Sequence, residues 1–243
     1  GSDDVKFWRS IANGNVIIIE SFSGKEGIRE IIEGYFDTNQ QVIGVRDKDY
    51  ESDIIHSKIF YYDYSCMEMM FISSVEAFYS IYSEYYEGDA DINALKNKLL
   101  LQLKFLSLVR KNNETKGWGI KINGVSLHNA FDHENKELKN ELIIKKLNEM
   151  NRNIFETDSS MLSCVEIDLG NYNSNDDLLH ITQGHDFITL FSIFCLKDKG
   201  KAISDINIAS SLRCSYRISE FKDTILYSQL IEYQNRNALK IVS

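Results

Sequence analysis

The stretch Val42-Ile43-Gly44-Val45-Arg46-Asp47-Lys48-Asp49-Tyr50 is a short apolar run that ends abruptly in Asp-x-Asp. Its β-branched residues and its lack of polar alternation predict a strand buried on both faces. In α/β sheets of that kind chemistry sits at the carboxyl ends of the strands, where these two acids fall. Side chains alternate along an extended backbone, so Asp47 and Asp49 are expected to point the same way, two rises of ~3.3 Å apart. Two carboxylates that close repel each other unless a cation lies beside them. Hard oxygen donors with few soft partners suit Mg2+ or Mn2+. The plainer alternative is a polar strand end running into a solvated turn.

A chain of 243 residues holds one large domain, or one domain with a sizeable insertion. A hydrophobic share of 43% with 26% charged residues is ordinary for a globular protein. The formal charge of −9 excludes a uniformly basic nucleic-acid surface, leaving a local patch assisted by divalent metal. Cys66, Cys164, Cys195 and Cys214 show no Cys-x-x-Cys pair and no framework spacing, which predicts reduced, mostly packed thiols in a cytoplasmic protein. Neither a signal peptide nor an apolar stretch of ~18 residues is visible, so no membrane segment is expected.

Around the central run the pattern is α/β. Asp3 and Asp4 stand near the positive end of a helix carrying Val5, Trp8 and Ile11. Asn13-Gly14 marks a turn, and Asn15 to Glu20, with Val16-Ile17-Ile18-Ile19 at its centre, predicts a strong strand. Ser21 to Gly27 predicts a loop entering a helix that runs to about Phe36. A polar link after Tyr50 leads to Ile59-Phe60-Tyr61-Tyr62, and Glu68 opens a helical region with Met69, Met70, Val75, Phe78, Ile81 and Tyr82, spacings that suit core packing. Ile92 to about Lys111 predicts a helix apolar nearly all round, Asn123-Gly124 a hairpin, and Glu134 to Met150 a charged amphipathic helix. Cys164 to Leu169 and Leu178 to Thr182 read as strands, Gly184-His185-Asp186 as the start of a helix from Phe187 to Leu196. Two further helices are expected over Ser211 to Glu220 and Phe221 to Glu232.

Several of these segments together resemble the Toprim fold. Gly1 and Asp4 match two positions of its Glu-Gly-x-x-Asp signature, whose glutamate would stand immediately before Gly1; the alternative is that Gly1-Ser2 is a cloning scar. Val16 to Ile19 with Ser23-Gly24-Lys25-Glu26-Gly27 resembles the second strand and its Gly-Lys turn, Val42 to Asp49 the strand bearing Asp-x-Asp, and Gly184-His185-Asp186-Phe187 the late Gly-x-Asp. With Tyr62-Asp63-Tyr64-Ser65-Cys66-Met67-Glu68 and Gln183-Gly184-His185-Asp186-Phe187, the chain resembles the Toprim nuclease family that includes AriB, the effector of the PARIS anti-phage system. The resemblance implies an α/β, Rossmannoid parallel sheet with a mainly helical insertion: a core over 1–63 whose first strand lies upstream, the insertion over 64–160, and a return to the core over 161–243. It also implies a metal-dependent nuclease acting on tRNA, held by a partner ABC-type ATPase until infection is sensed. A homodimer is compatible with such an effector.

Cleaving a phosphodiester needs charge neutralisation and a proton acceptor. Asp47 and Asp49 are the expected Mg2+ or Mn2+ ligands, with Glu68 and Asp63 completing the cluster; otherwise Asp63 caps a helix and Glu68 sits in its first turn. Lys25 would meet the scissile phosphate, or else face solvent. Asp4, His185 and Asp186 are secondary candidates, and Glu20 is a rival for the signature acid. If the glutamate lies upstream, the chain as given is expected to bind metal weakly and cleave poorly. Arg46 and Lys48, on the opposite pleat face, are expected to pair with neighbours. A DNA-directed nuclease of the same fold and a non-catalytic module docked on an ATPase are the alternatives.

Overall fold

The structure is a computed structural model that describes residues 2–51, 56–195 and 203–242, without the Lys25 side chain. In chain order the elements are α1 (Ser2–Ile11), α2 (Gly24–Tyr35), β1 (Gly44–Arg46), β2 (Ile59–Tyr61), α3 (Met67–Ser73), α4 (Val75–Tyr85), α5 (Ile92–Lys116), α6 (Leu127–Ala130), β3 (Phe131–Asp132) and β4 (Glu137–Leu138). There follow α7 (Asn140–Met150), α8 (Ile154–Thr157), α9 (Ser159–Leu169), α10 (Asn175–Ile181), α11 (Gly184–Phe194), α12 (Asp205–Ser215), α13 (Ile218–Lys222) and α14 (Ile225–Arg236). The fold is mixed α/β, dominated by helix, with a small parallel sheet. Gly1, most of the polar link after Tyr50 and Leu196 lie outside the described residues.

The chain divides into two units, 1–78 with 212–243, and 79–211. The second unit therefore starts later than 64 and runs well past 160, taking in segments expected to rejoin the first part.

In the first unit β1 pairs in parallel with β2, Gly44 opposite Ile59 and Arg46 opposite Tyr61. The helix α2 lies against both strands and α14 against β2. Gly44 permits the close approach of α2, since a Cβ there would overlap Ile28 Cγ2. The ammonium of buried Lys58 caps the end of α2, donating to the carbonyls of Phe36 and Asn39. An aromatic core joins α1 to α3 and α13: Phe7 meets Phe71 edge-on at 5.0 Å, and Trp8 meets Phe221 at 5.7 Å.

The second unit is built around α5, capped by the Asp91 side chain at its start and by left-handed Gly117 at its end. Its Leu95, Leu99, Leu103 and Leu106 are buried, as expected of a helix apolar nearly all round, because α7, α9, α10 and α11 pack against it.

Five sequence expectations are overturned. Asn15 to Glu20 forms no strand: among the described residues nothing pairs with it, and Ile17 and Ile19 are 85% and 84% exposed. Strand propensity is realised only against a neighbouring strand. Cys164 to Leu169 and Leu178 to Ile181 are helical, within α9 and α10. Asn123-Gly124 makes a turn but no hairpin; the observed hairpin is β3 with β4. The amphipathic helix begins at Asn140 rather than Glu134, because Phe131 to Leu138 is taken up by that hairpin. The region opened by Glu68 also breaks at Ser74, whose hydroxyl accepts the Ala77 N–H at 2.9 Å and starts α4.

Candidate active site

Asp47 follows the last paired residue of β1, at the carboxyl edge of the parallel pair. Its Oδ1 accepts the Met67 backbone N–H at 3.2 Å, tying the strand end to the start of α3. Glu68 stands one residue further on, in the first turn of α3. Asp49 does not continue the extended alternation. It adopts a left-handed conformation, φ +49°, while its N–H donates to the Ser65 carbonyl at 2.7 Å. Aspartate tolerates that conformation, so the two acids are set by a turn rather than by the pleat.

The fourth carboxylate comes from α1. Asp4 Oδ1 accepts the Tyr62 hydroxyl at 2.8 Å, and the Trp8 indole N–H donates to that hydroxyl at 2.9 Å. Tyr62, directly after β2, is almost wholly buried. Sequence reasoning missed it, although it is the first residue of the quoted Tyr-Asp-Tyr-Ser-Cys-Met-Glu run; an aromatic residue at a strand end reads as core.

These acids act on one another. Burial, then Glu68, Asp4 and Asp49 in that order, pushes the Asp47 carboxyl up to about 7, against the opposing Met67 N–H. Burial, with Glu68 and Asp47 beside it, likewise pushes the Cys66 thiol well up. All four cysteines are free; Cys66 and Cys195 are buried, Cys214 is exposed.

Other sequence candidates have different surroundings. Asp63 accepts the Ile225 and Leu226 backbone N–H groups at 2.8 and 2.9 Å, capping α14. Both oxygens are thus committed to a helix end. Glu20 is exposed on the unpaired run. Lys25 lies in the first turn of α2, its side chain outside the described residues. Arg46 is buried and paired with Glu51, which also accepts the Tyr61 hydroxyl at 3.0 Å. Asp186 and His185 belong to the second unit, at the start of α11. Arg110 grips Asp186 through Nε at 2.8 Å and Nη2 at 3.1 Å. Burial works against ionisation there, but His185 and Arg110 together hold that carboxyl below the usual range.

By chemistry the carboxylates that weigh on Asp47 are hard oxygen donors of the class that divalent cations take. Among the described residues no three acidic, histidine or cysteine side chains converge as a ready-made metal cage. No helix there is long and apolar enough to cross a membrane. No protein-family model, no curated protein and no solved structure matches the chain.

Proposed function

We propose that the chain is a metal-dependent nuclease with a Toprim-like core, cleaving RNA, and tRNA in particular, as the effector of an anti-phage system restrained by an ABC-type ATPase. One observation carries the nuclease reading: Asp47 lies at the carboxyl edge of a parallel strand pair, and burial, with Glu68, Asp4 and Asp49, raises its proton affinity. The substrate class and the ATPase rest on the sequence resemblance alone. The nearness of Asp4 to Asp47 supports the register in which Asp4 closes the signature, over the register that starts from Glu20.

Asp47 and Asp49 would hold Mg2+ or Mn2+, with Glu68 beside them. A bound divalent cation would supply charge neutralisation at the scissile phosphate. Asp47, its carboxyl pushed up to about 7, would give up a proton to become a ligand. Asp63 and Asp186 take no part in the chemistry; each is committed to a structural partner.

A second reading, a non-catalytic module docked on an ATPase, is favoured by the lack of a ready-made cage among the described residues. Incubation with Mg2+ and either total tRNA or supercoiled plasmid separates the possibilities. The expected outcome is cut tRNA with intact plasmid, abolished by Asp47→Ala with Asp49→Ala. Nicked plasmid beside intact tRNA would make DNA the substrate. Cellular toxicity unchanged by the double substitution would leave only the docking module.

A further inference from the structure

We propose that Tyr62 is the positioning residue of the acid cluster, its hydroxyl holding the Asp4 carboxylate in place for Asp47 while the Trp8 indole fixes that hydroxyl. The proposal rests on the reading of Asp47 as a cation ligand. Asp4 and Trp8 stand one helical turn apart on α1, so a single side chain can bridge them. Tyr62 does so from the end of β2, accepting from Trp8 Nε1 at 2.9 Å and donating to Asp4 Oδ1 at 2.8 Å. With the indole N–H on one lone pair, the hydroxyl hydrogen is aimed at Asp4. The bond is charge-assisted and part-buried, its Tyr62 end almost wholly enclosed. The Tyr62 backbone N–H also donates to the carbonyl of Arg46, the residue before Asp47, at 3.3 Å. One residue therefore fixes the Asp4 side chain and the backbone that delivers Asp47. Burial and the neighbouring Asp4 push ionisation of the phenol well above its ordinary range, so it stays a donor.

The test is Tyr62→Phe, which keeps the ring and removes the hydroxyl. Two measurements are made: a crystal structure without metal, and Mn2+ affinity read by loss of the free-ion electron paramagnetic resonance signal. The Asp4 carboxylate is expected to leave its place beside Asp47, with Mn2+ affinity falling about tenfold. Trp8→Phe, which frees the hydroxyl to rotate, is expected to give a smaller loss. A purely structural role would lower the melting temperature but leave the affinity of folded molecules unchanged, and that result overturns the proposal. If the unsubstituted chain binds no Mn2+, the cation reading fails by itself. The crystal structure then decides the role of Tyr62, and an unmoved Asp4 refutes it.

Discussion

An Asp47 carboxyl that titrates near 7 in the folded chain, against an ordinary value of 3.8, binds its proton more tightly folded than unfolded. Stability from this residue is therefore fully present at low pH and is lost as pH rises through that interval. The loss is complete above pH 7 and amounts to about 4 kcal/mol at most, at ~1.4 kcal/mol per pH unit. Thermal melts in a chelator should show the melting temperature falling between about pH 4 and pH 7. Asp47→Asn should flatten that fall and be the more stable form at pH 8; an equal fall in the variant would place the titration elsewhere. Asp63 gives the opposite kind of outcome. Asp63→Ala strips the caps from Ile225 and Leu226, and should cost about 1–2 kcal/mol in denaturant unfolding while leaving cation affinity unchanged. Both acids were visible in the sequence. What separates them is a partner some 160 residues along the chain for Asp63, which no local pattern records.

Between elements, the contact of α2 with β1 depends on the missing side chain of Gly44. Gly44→Ala should destabilise the chain by about 1–3 kcal/mol through overpacking against Ile28. In combination with Ile28→Ala the two costs should be less than additive, which a double-mutant cycle measures directly. In the second unit, Asp186→Ala leaves the half-buried Arg110 guanidinium without its carboxylate. Breaking such a pair costs about 3–5 kcal/mol, and loss of cleavage beyond that explained by unfolding would restore Asp186 to the site. The elements that the sequence conveyed well are those with their own signals. For α5 these are the Asp91 cap, the terminal Gly117 and an apolar surface over many turns. The misread ones are short apolar runs, where periodicity does not separate strand from helix. For α10 the deciding signal was present and overlooked: Ser174 and Asp177 form a capping box just before the apolar residues. For Val16 to Ile19 no local signal exists, because a strand depends on what lies beside it.

At the scale of the molecule, the cluster around Asp47 is assembled from three separated stretches: the start of α1, the end of β1 and the start of α3. The Asp-x-Asp at a strand end was legible because strand-end acids have a local pattern; its parallel partner was not, since that strand was expected over Asn15 to Glu20 and stands at Ile59 to Tyr61. The contribution of Asp4 was legible only through resemblance, and its bond to Tyr62 not at all, since it spans 58 residues. The small sheet and its acids belong to a unit closed by the C-terminal helices α13 and α14, whereas α5 organises a continuous second unit. The central claim is that four crowded carboxylates serve a divalent cation. It is tested most directly by titrating Mn2+ into the chain near pH 7 in two buffers of different ionisation enthalpy. The account predicts saturable binding with release of Asp47's proton, both lost in Asp47→Asn. Absence of binding in the unsubstituted chain, or equal binding in the variant, would contradict it.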